Sequence, residues 1–237
     1  MIDWGVIVES IPAFLRGAQI TLILLVVALV TGFVLSIPLA MARVSTRRWL
    51  SLPVFLFTYV IRGTPLLVQM FMVYHGLAQF EWMRQSPLWF LFRDAWFCAW
   101  LVFSISTTAY TTEIFAGALR ETPSGELEAA QSLGLTKFQT YARILWPGAL
   151  RRALPQYSNE VVGLMHATAI ASTVTLVEIT RVARDVYYNH LGVTESFGVA
   201  AVFYFVLTFS VVGVFKLLEK RYLKHLSRKV SGPVPAR

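Results

Sequence analysis

Charge is scarce in this chain. Of 237 residues, 21 are Lys or Arg and 13 are Asp or Glu, too few to solvate the surface of an ordinary water-soluble domain. Cysteine is nearly absent. Cys98 alone cannot close an internal disulfide or supply a cysteine-based metal cluster, and it is read as a buried apolar side chain. No glycine-rich loop ends in Gly-Lys-Ser or Gly-Lys-Thr, so the chain is not expected to hydrolyse ATP, bind a cofactor or hold a metal. What abounds is apolar: 56% of residues are hydrophobic, 17 are Phe and 7 are Trp, and the mean hydropathy is +0.60. That composition excludes a disordered or collagen-like chain.

The apolar residues fall into five blocks. Gly17 to Ala42 carries no charge between Arg16 and Arg43, and about twenty helical residues rising 1.5 Å each cross a hydrocarbon layer. Ala40-Met41-Ala42 has the form of a signal-peptidase site, but the block is too long and Asp3 and Glu9 do not suit a basic leader, so it is read as a retained span. Trp49 to Phe80 is interrupted by Arg62-Gly63-Thr64-Pro65. A proline there frees a carbonyl, and an arginine at that depth needs a carboxylate, a carbonyl or a wet cavity, so this block is expected to bend and face protein. Ala95 to Leu119 holds only Glu113, Ala153 to Val177 only Glu160, and Ser196 to Phe215 no charge. The expected fold is an all-α integral membrane protein with five transmembrane helices.

Five crossings put the termini on opposite sides. Fifteen basic residues follow the first, third and fifth blocks, five lie in the other connections, and Arg62 lies within a span. The positive-inside rule therefore predicts an external N-terminus, periplasmic in a bacterial setting, and a cytoplasmic C-terminus. The formal charge of +8 is assigned to lipid headgroups rather than to nucleic acid, because the basic residues flank spans and form no aromatic-interleaved surface. The segment from Lys216 to Lys229 is expected near those headgroups, with Pro233 and Pro235 making the end irregular. This reading gives one transmembrane domain over residues 1–225, a cytoplasmic loop at 120–152 within it, and a cytoplasmic tail at 226–237.

The loop is the most informative segment outside the spans. Ser124 is read as an N-cap followed by Glu126 and Glu128, Gly134 as the left-handed stop, and Thr136 with Gln139 as a capping box for a second helix ending before Pro147. Small Ala129 and Ala130 permit another protein surface to approach, and equally permit self-packing.

Glu128-Ala129-Ala130, then Gly134, Ile144 and Pro147 at fixed spacing, resemble the EAA loop of permease subunits of bacterial ATP-binding cassette importers; Trp146 departs from the family's leucine before the proline. Arg62-Gly63-Thr64-Pro65-Leu66-Leu67-Val68-Gln69, Ala109-Tyr110-Thr111-Thr112-Glu113-Ile114 and Ser158-Asn159-Glu160-Val161 narrow the resemblance to polar amino-acid permeases. Among these it is similar to the M-type subunits of histidine/lysine/arginine/ornithine or arginine/ornithine systems, from about Gly17 to His225. Where many such permeases carry Arg-Gly and Lys-x-Thr-Ser-Leu, this chain has Ala116-Gly117 and His166-Ala167-Thr168-Ala169-Ile170, as in the less typical half of a heterodimer.

The resemblance implies a bacterial inner-membrane location, a companion permease subunit, two cytoplasmic ATPases binding ATP and magnesium, and a periplasmic amino-acid-binding protein. It implies that Glu126, Glu128, Ala129, Ala130, Gly134, Ile144 and Pro147 couple to the ATPases. Candidate contacts for a basic substrate are Glu160 first, then Asn159, His166, Thr168, Tyr110, Glu113 and Arg62. For Glu160 the competing reading is a permanent pair with Arg62 or a hydrogen bond to a neighbouring helix, and for Arg62 structural use is the stronger one. The rival functions are a secondary transporter or channel subunit, in which the buried Glu residues couple to ions, and a structural partner whose companion holds the ligand.

Overall fold

The computed structural model describes residues 4–190 and 192–222, which are almost entirely helical. The first block is α1 (Trp4–Arg43), 40 residues long and thus about 60 Å, roughly twice the hydrocarbon thickness. The second block is α2 (Arg48–Gly63) and α3 (Leu66–Phe71), and the expected bend between them is 99°. A π turn (Met72–Gly76), a 3-10 turn (Leu77–Gln79) and two short helices, α4 (Glu81–Arg84) and α5 (Trp89–Phe92), lead to α6 (Ala95–Arg120). Asp94 caps α6 by accepting the Trp96 N–H at 3.0 Å. Two helices, α7 (Ser124–Ser132) and α8 (Lys137–Thr140), make the connection to α9 (Trp146–Ala167). A 3-10 stretch (Thr168–Val174), α10 (Ile179–His190) and α11 (Val193–Tyr222) complete the order.

The centre of the bundle is the contact of α1 with α6. Ala28, Gly32, Ser36 and Ala40 repeat every fourth residue along α1 and are all buried, which lets two backbones approach closely. At Gly32 a Cβ would collide with the Thr107 methyl and lie 3.1 Å from the Thr108 nitrogen. Opposite stand the buried hydroxyls of α6, including Ser104, Thr107, Thr108, Thr111 and Thr112. Leu24, Leu25, Phe103 and Met165 fill the main core beside this seam, and Cys98 is fully buried as expected.

Three sequence expectations change. Ser124 is the first residue of α7, not its cap; Pro123, with its ring-locked φ of −59°, holds the cap position and no side chain caps the helix. The second arm of the connection does not stop before Pro147. A π turn (Tyr141–Leu145) carries α8 directly into α9, and the wider turn accommodates the N–H that proline lacks. The fourth block is not one α-helix: it tightens to 3-10 over Thr168–Val174, ends at left-handed Thr175 (φ 70°) and bends by 50° into α10. The β-branched run there disfavours the α-helix, and Thr173 bonds back to the Ile170 carbonyl at 2.7 Å.

Two other expectations hold in detail. Gly134 has φ +68°, and the bonds Gly134 N–H to Gln131 and Leu135 N–H to Ala130 complete a Schellman stop. Thr136 and Gln139 form the reciprocal capping box.

Among the described residues, α1 and α11 are each long and apolar enough to cross a membrane, and the two bent pairs raise the number to four. The hydroxyl-rich α6, 26 residues long, is too polar to be counted with them. The basic C-terminal segment is described only as far as Tyr222, and the tail at 226–237 lies outside the described residues.

One anchor had no counterpart in the sequence reading. Glu178, fully buried, accepts the backbone N–H groups of Thr180 and Arg181 and the Tyr204 hydroxyl, each at 2.9 Å. Its carboxylate thereby caps α10 and ties it to α11.

Candidate functional site

The bend after α2 presents Arg62 beside α6 and α9. Pro65 cannot donate to the Ile61 carbonyl, and the Gln69 side chain supplies the missing donor at 2.8 Å while also bonding the Thr64 hydroxyl at 2.7 Å. Gln69 thus fixes the turn. It belongs to the quoted motif, but its role depends on the carbonyl that proline leaves free.

Two cavities adjoin this turn. The first, about 560 Å³, is lined by Arg62 to Leu66, by Ser106 and Tyr110 of α6, and by Glu160, Gly163 and Ala167 of α9. The second, about 680 Å³, is lined by Arg62, Tyr110, Glu113, Pro155, Asn159 and Glu160, together with Ile114 and Gln156. Arg62, Tyr110 and Glu160 border both. Since α6 and α9 run in opposite directions, later α6 residues and earlier α9 residues lie nearer the connecting segment. The second cavity is therefore nearer that end.

The Arg62 guanidinium lies 5.1 Å over the Tyr110 ring, a cation–π contact. Among the described residues neither Arg62 nor Glu160 makes a salt bridge, so the permanent Arg62–Glu160 pair weighed from sequence is not formed. A guanidinium and a carboxylate thus share a cavity wall, together with the amide of Asn159. Such a set can orient an amino acid by both of its charges.

The remaining candidates are placed differently. His166 shares a 2.9 Å hydrogen bond with Thr208 of α11 and borders neither cavity. Glu160, Gly163 and Ala167 follow the helical 3–4 spacing, while His166, six residues beyond Glu160, turns off that face. Thr168 is buried and donates to the Met165 carbonyl. Glu113 borders the second cavity but is already engaged: Arg43 Nε and the Thr58 hydroxyl each donate to its Oε1 at 2.7 Å.

In the connecting segment Glu126, Glu128, Ala129, Gly134 and Pro147 are exposed, Ile144 is half-buried, and Ala130 is fully buried. Ala130 is thus packed within the chain, whereas Ala129 is open. Sequence reasoning passed over Leu133 and Phe138, which at 76% and 81% exposure are the barest large apolar side chains described. Their signal is two large apolar residues flanking a helix stop in an otherwise polar loop. A third cavity, about 710 Å³, lies beneath the segment between Val44, Arg120, Leu127 and Tyr141. Among the described residues no group of three His, Cys, Asp or Glu is placed to hold a metal ion.

Comparison with known proteins gives a consistent picture. Residues 32–224 match the family model described as binding-protein-dependent transport system inner membrane component. The chain is 43% identical to the histidine/lysine/arginine/ornithine transport system permease protein HisM of Escherichia coli K12, over 89% of each chain. It is 40% identical to the nopaline transport system permease protein NocM of Agrobacterium fabrum, over 98% of this chain and 97% of that one. Among solved structures it resembles an amino acid ABC transporter crystallised with histidines, with a TM-score of 0.82 and 28% identity over 93% of this chain and 99% of that one. The MetNI methionine ABC transporter shares the fold, with a TM-score of 0.77 at 17% identity over 90% and 98% of the two chains.

Proposed function

The chain belongs to the family of binding-protein-dependent transport system inner membrane components, and from that premise we propose how it serves an ATP-driven importer of basic amino acids, the arginine, ornithine, lysine and histidine class. It is a multi-pass inner-membrane permease subunit and not an ATPase. Substrate arrives from a periplasmic binding protein, a homologous permease subunit completes the path, and two cytoplasmic ATPases bind ATP and magnesium. A single permease domain covers residues 1–225, crosses the membrane five times from a periplasmic N-terminus, and ends in a cytoplasmic tail at 226–237. The loop at 120–152 is the coupling elbow. Glu126, Glu128, Ala129, Gly134 and Pro147 meet the ATPase with Leu133 and Phe138 beside them, while Ala130 and Ile144 hold the elbow's shape.

The observation that carries the substrate assignment is that Glu160 and Arg62, not bridged to each other, line one cavity with Tyr110 and Asn159. Glu160 receives the basic side chain and Arg62 the substrate carboxylate. His166 and Thr168 act at a remove, by setting how α9 meets α11 and how it tightens beyond Ala167. The relatives named for histidine, lysine, arginine and ornithine support that charge preference.

Replacing Glu160 with Gln in the assembled transporter tests the reading. The apparent affinity for L-arginine is expected to fall about tenfold or more, the order of one lost charge-assisted contact, with neutral amino acids gaining relative to it. Normal assembly with unaltered affinity and selectivity rejects the pocket.

A further inference from the structure

The three helix ends that meet at Arg43 form a device the substrate pocket does not use. Arg43 closes α1, and its Nε donates to Glu113 of α6, while Thr58 of α2 donates to the same oxygen. The Arg43 backbone is held in place: its carbonyl accepts from the Ser51 hydroxyl at 3.0 Å and from Arg120 at 3.4 Å. Its head is not held in the same way. A single Nε contact lacks the two-pronged fit of a guanidinium on a carboxylate. The guanidinium carbon already lies 4.9 Å from the Phe55 ring centroid, a contact the head can keep when it lets go of Glu113. Thr58 has a second acceptor too, the Phe55 carbonyl at 3.1 Å.

The pair also stands between two spaces. Glu113 lines the cavity that contains Glu160 and Arg62. Arg43 lines the next one, about 370 Å³, with Arg48, Ser51, Leu52 and Phe55 at the elbow end of α2. Both side chains are nearly shielded, at 16% and 17% exposure. Stripping the guanidinium from a shielded carboxylate is costly unless another cation replaces it.

We infer that the Arg43–Glu113 pair is a cation-exchange gate on the exit side of the pocket: the basic group of a substrate leaving Glu160 takes the place of Arg43 on Glu113, and Arg43 is left on the Phe55 ring alone. This rests on the substrate pocket proposed above and adds a second test of charge after it. An amino acid with a neutral side chain keeps its single α-ammonium beside its own carboxylate, brings no second cation to exchange and leaves the pair shut.

The test is equilibrium binding of radiolabelled L-arginine to the complete transporter in lipid nanodiscs, without nucleotide or binding protein, with L-citrulline, whose side chain is neutral, as the control probe. Arg43→Gln removes the competitor and is expected to tighten L-arginine binding at least about fivefold, whereas Glu113→Gln weakens it by a similar factor. The double variant follows Glu113→Gln, and citrulline binding responds to neither. Thr58→Val, of nearly the same shape, removes the other local donor and is expected to tighten binding, which keeps the test available should Arg43→Gln not assemble. A clasp that merely staples α1 to α6 makes Arg43→Gln and Glu113→Gln act in the same direction or not at all, and either outcome overturns the gate. Glu160→Gln, run in parallel, separates the two claims. If it weakens binding while the opposed effects are missing, the gate alone fails; if it binds L-arginine like the parent, the pocket fails.

Discussion

At the scale of single residues, the acidic groups of this chain show how burial is made tolerable in three ways. Glu113 is paired, Glu160 borders a cavity, and Glu178 is enclosed by donors. The last arrangement yields a direct expectation. Tyr204→Phe deletes one of three hydrogen bonds to a buried carboxylate, and should cost about 1–3 kcal/mol, read as a lower melting temperature of the purified complex. Substrate affinity is not expected to follow, because neither residue borders the pocket. The sequence made Glu160 and Glu113 conspicuous because each is the lone acid in an apolar run. Glu178 sits just past such a run, and only the position of the α10 start explains why it is buried. Gln69 was hidden similarly, since its use follows from the carbonyl freed four residues before Pro65.

At the scale of elements, the legible parts were those with local chemistry. The Gly134 stop, the Thr136–Gln139 box and the Arg62–Pro65 bend each depend on a few adjacent residues, and each forms as read. Less legible was the continuation through Pro147, because a π turn has no compositional mark of its own. The loss of α-helix after Ala167 was within reach from the Thr and Val content, but an apolar block of that length reads as one span. Gly134→Ala tests the stop: a Cβ in the left-handed region costs roughly 1 kcal/mol. Hydrogen exchange should accelerate at the amides of Gly134 and Leu135, which close that turn, while α1 and α6 stay protected. Gly134→Asn should retain most of the protection.

At the scale of the whole molecule, the orientation in the membrane sets which solvent each cavity meets. Fifteen of 21 basic residues lie with the elbow and the C-terminal end, which predicts that the elbow is cytoplasmic. Phe138, 81% exposed, suits the check. In a variant with Cys98 replaced by Ala and Phe138 by Cys, a membrane-impermeant maleimide should label inverted membrane vesicles stripped of the ATPase and leave intact cells unmodified. Labelling of intact cells would reverse the orientation and detach the elbow from any cytoplasmic ATPase. The continuous path from α8 through the π turn into α9 has a mechanical corollary. From Lys137 to Ala167 the backbone is one lever of roughly 45 Å, so a tilt of about 10° at its foot carries the far end some 8 Å sideways. Glu160 rides on that arm partway along and lines the cavity there, so if the elbow is pushed as proposed, the thrust and the change in cavity width travel in the same piece of chain.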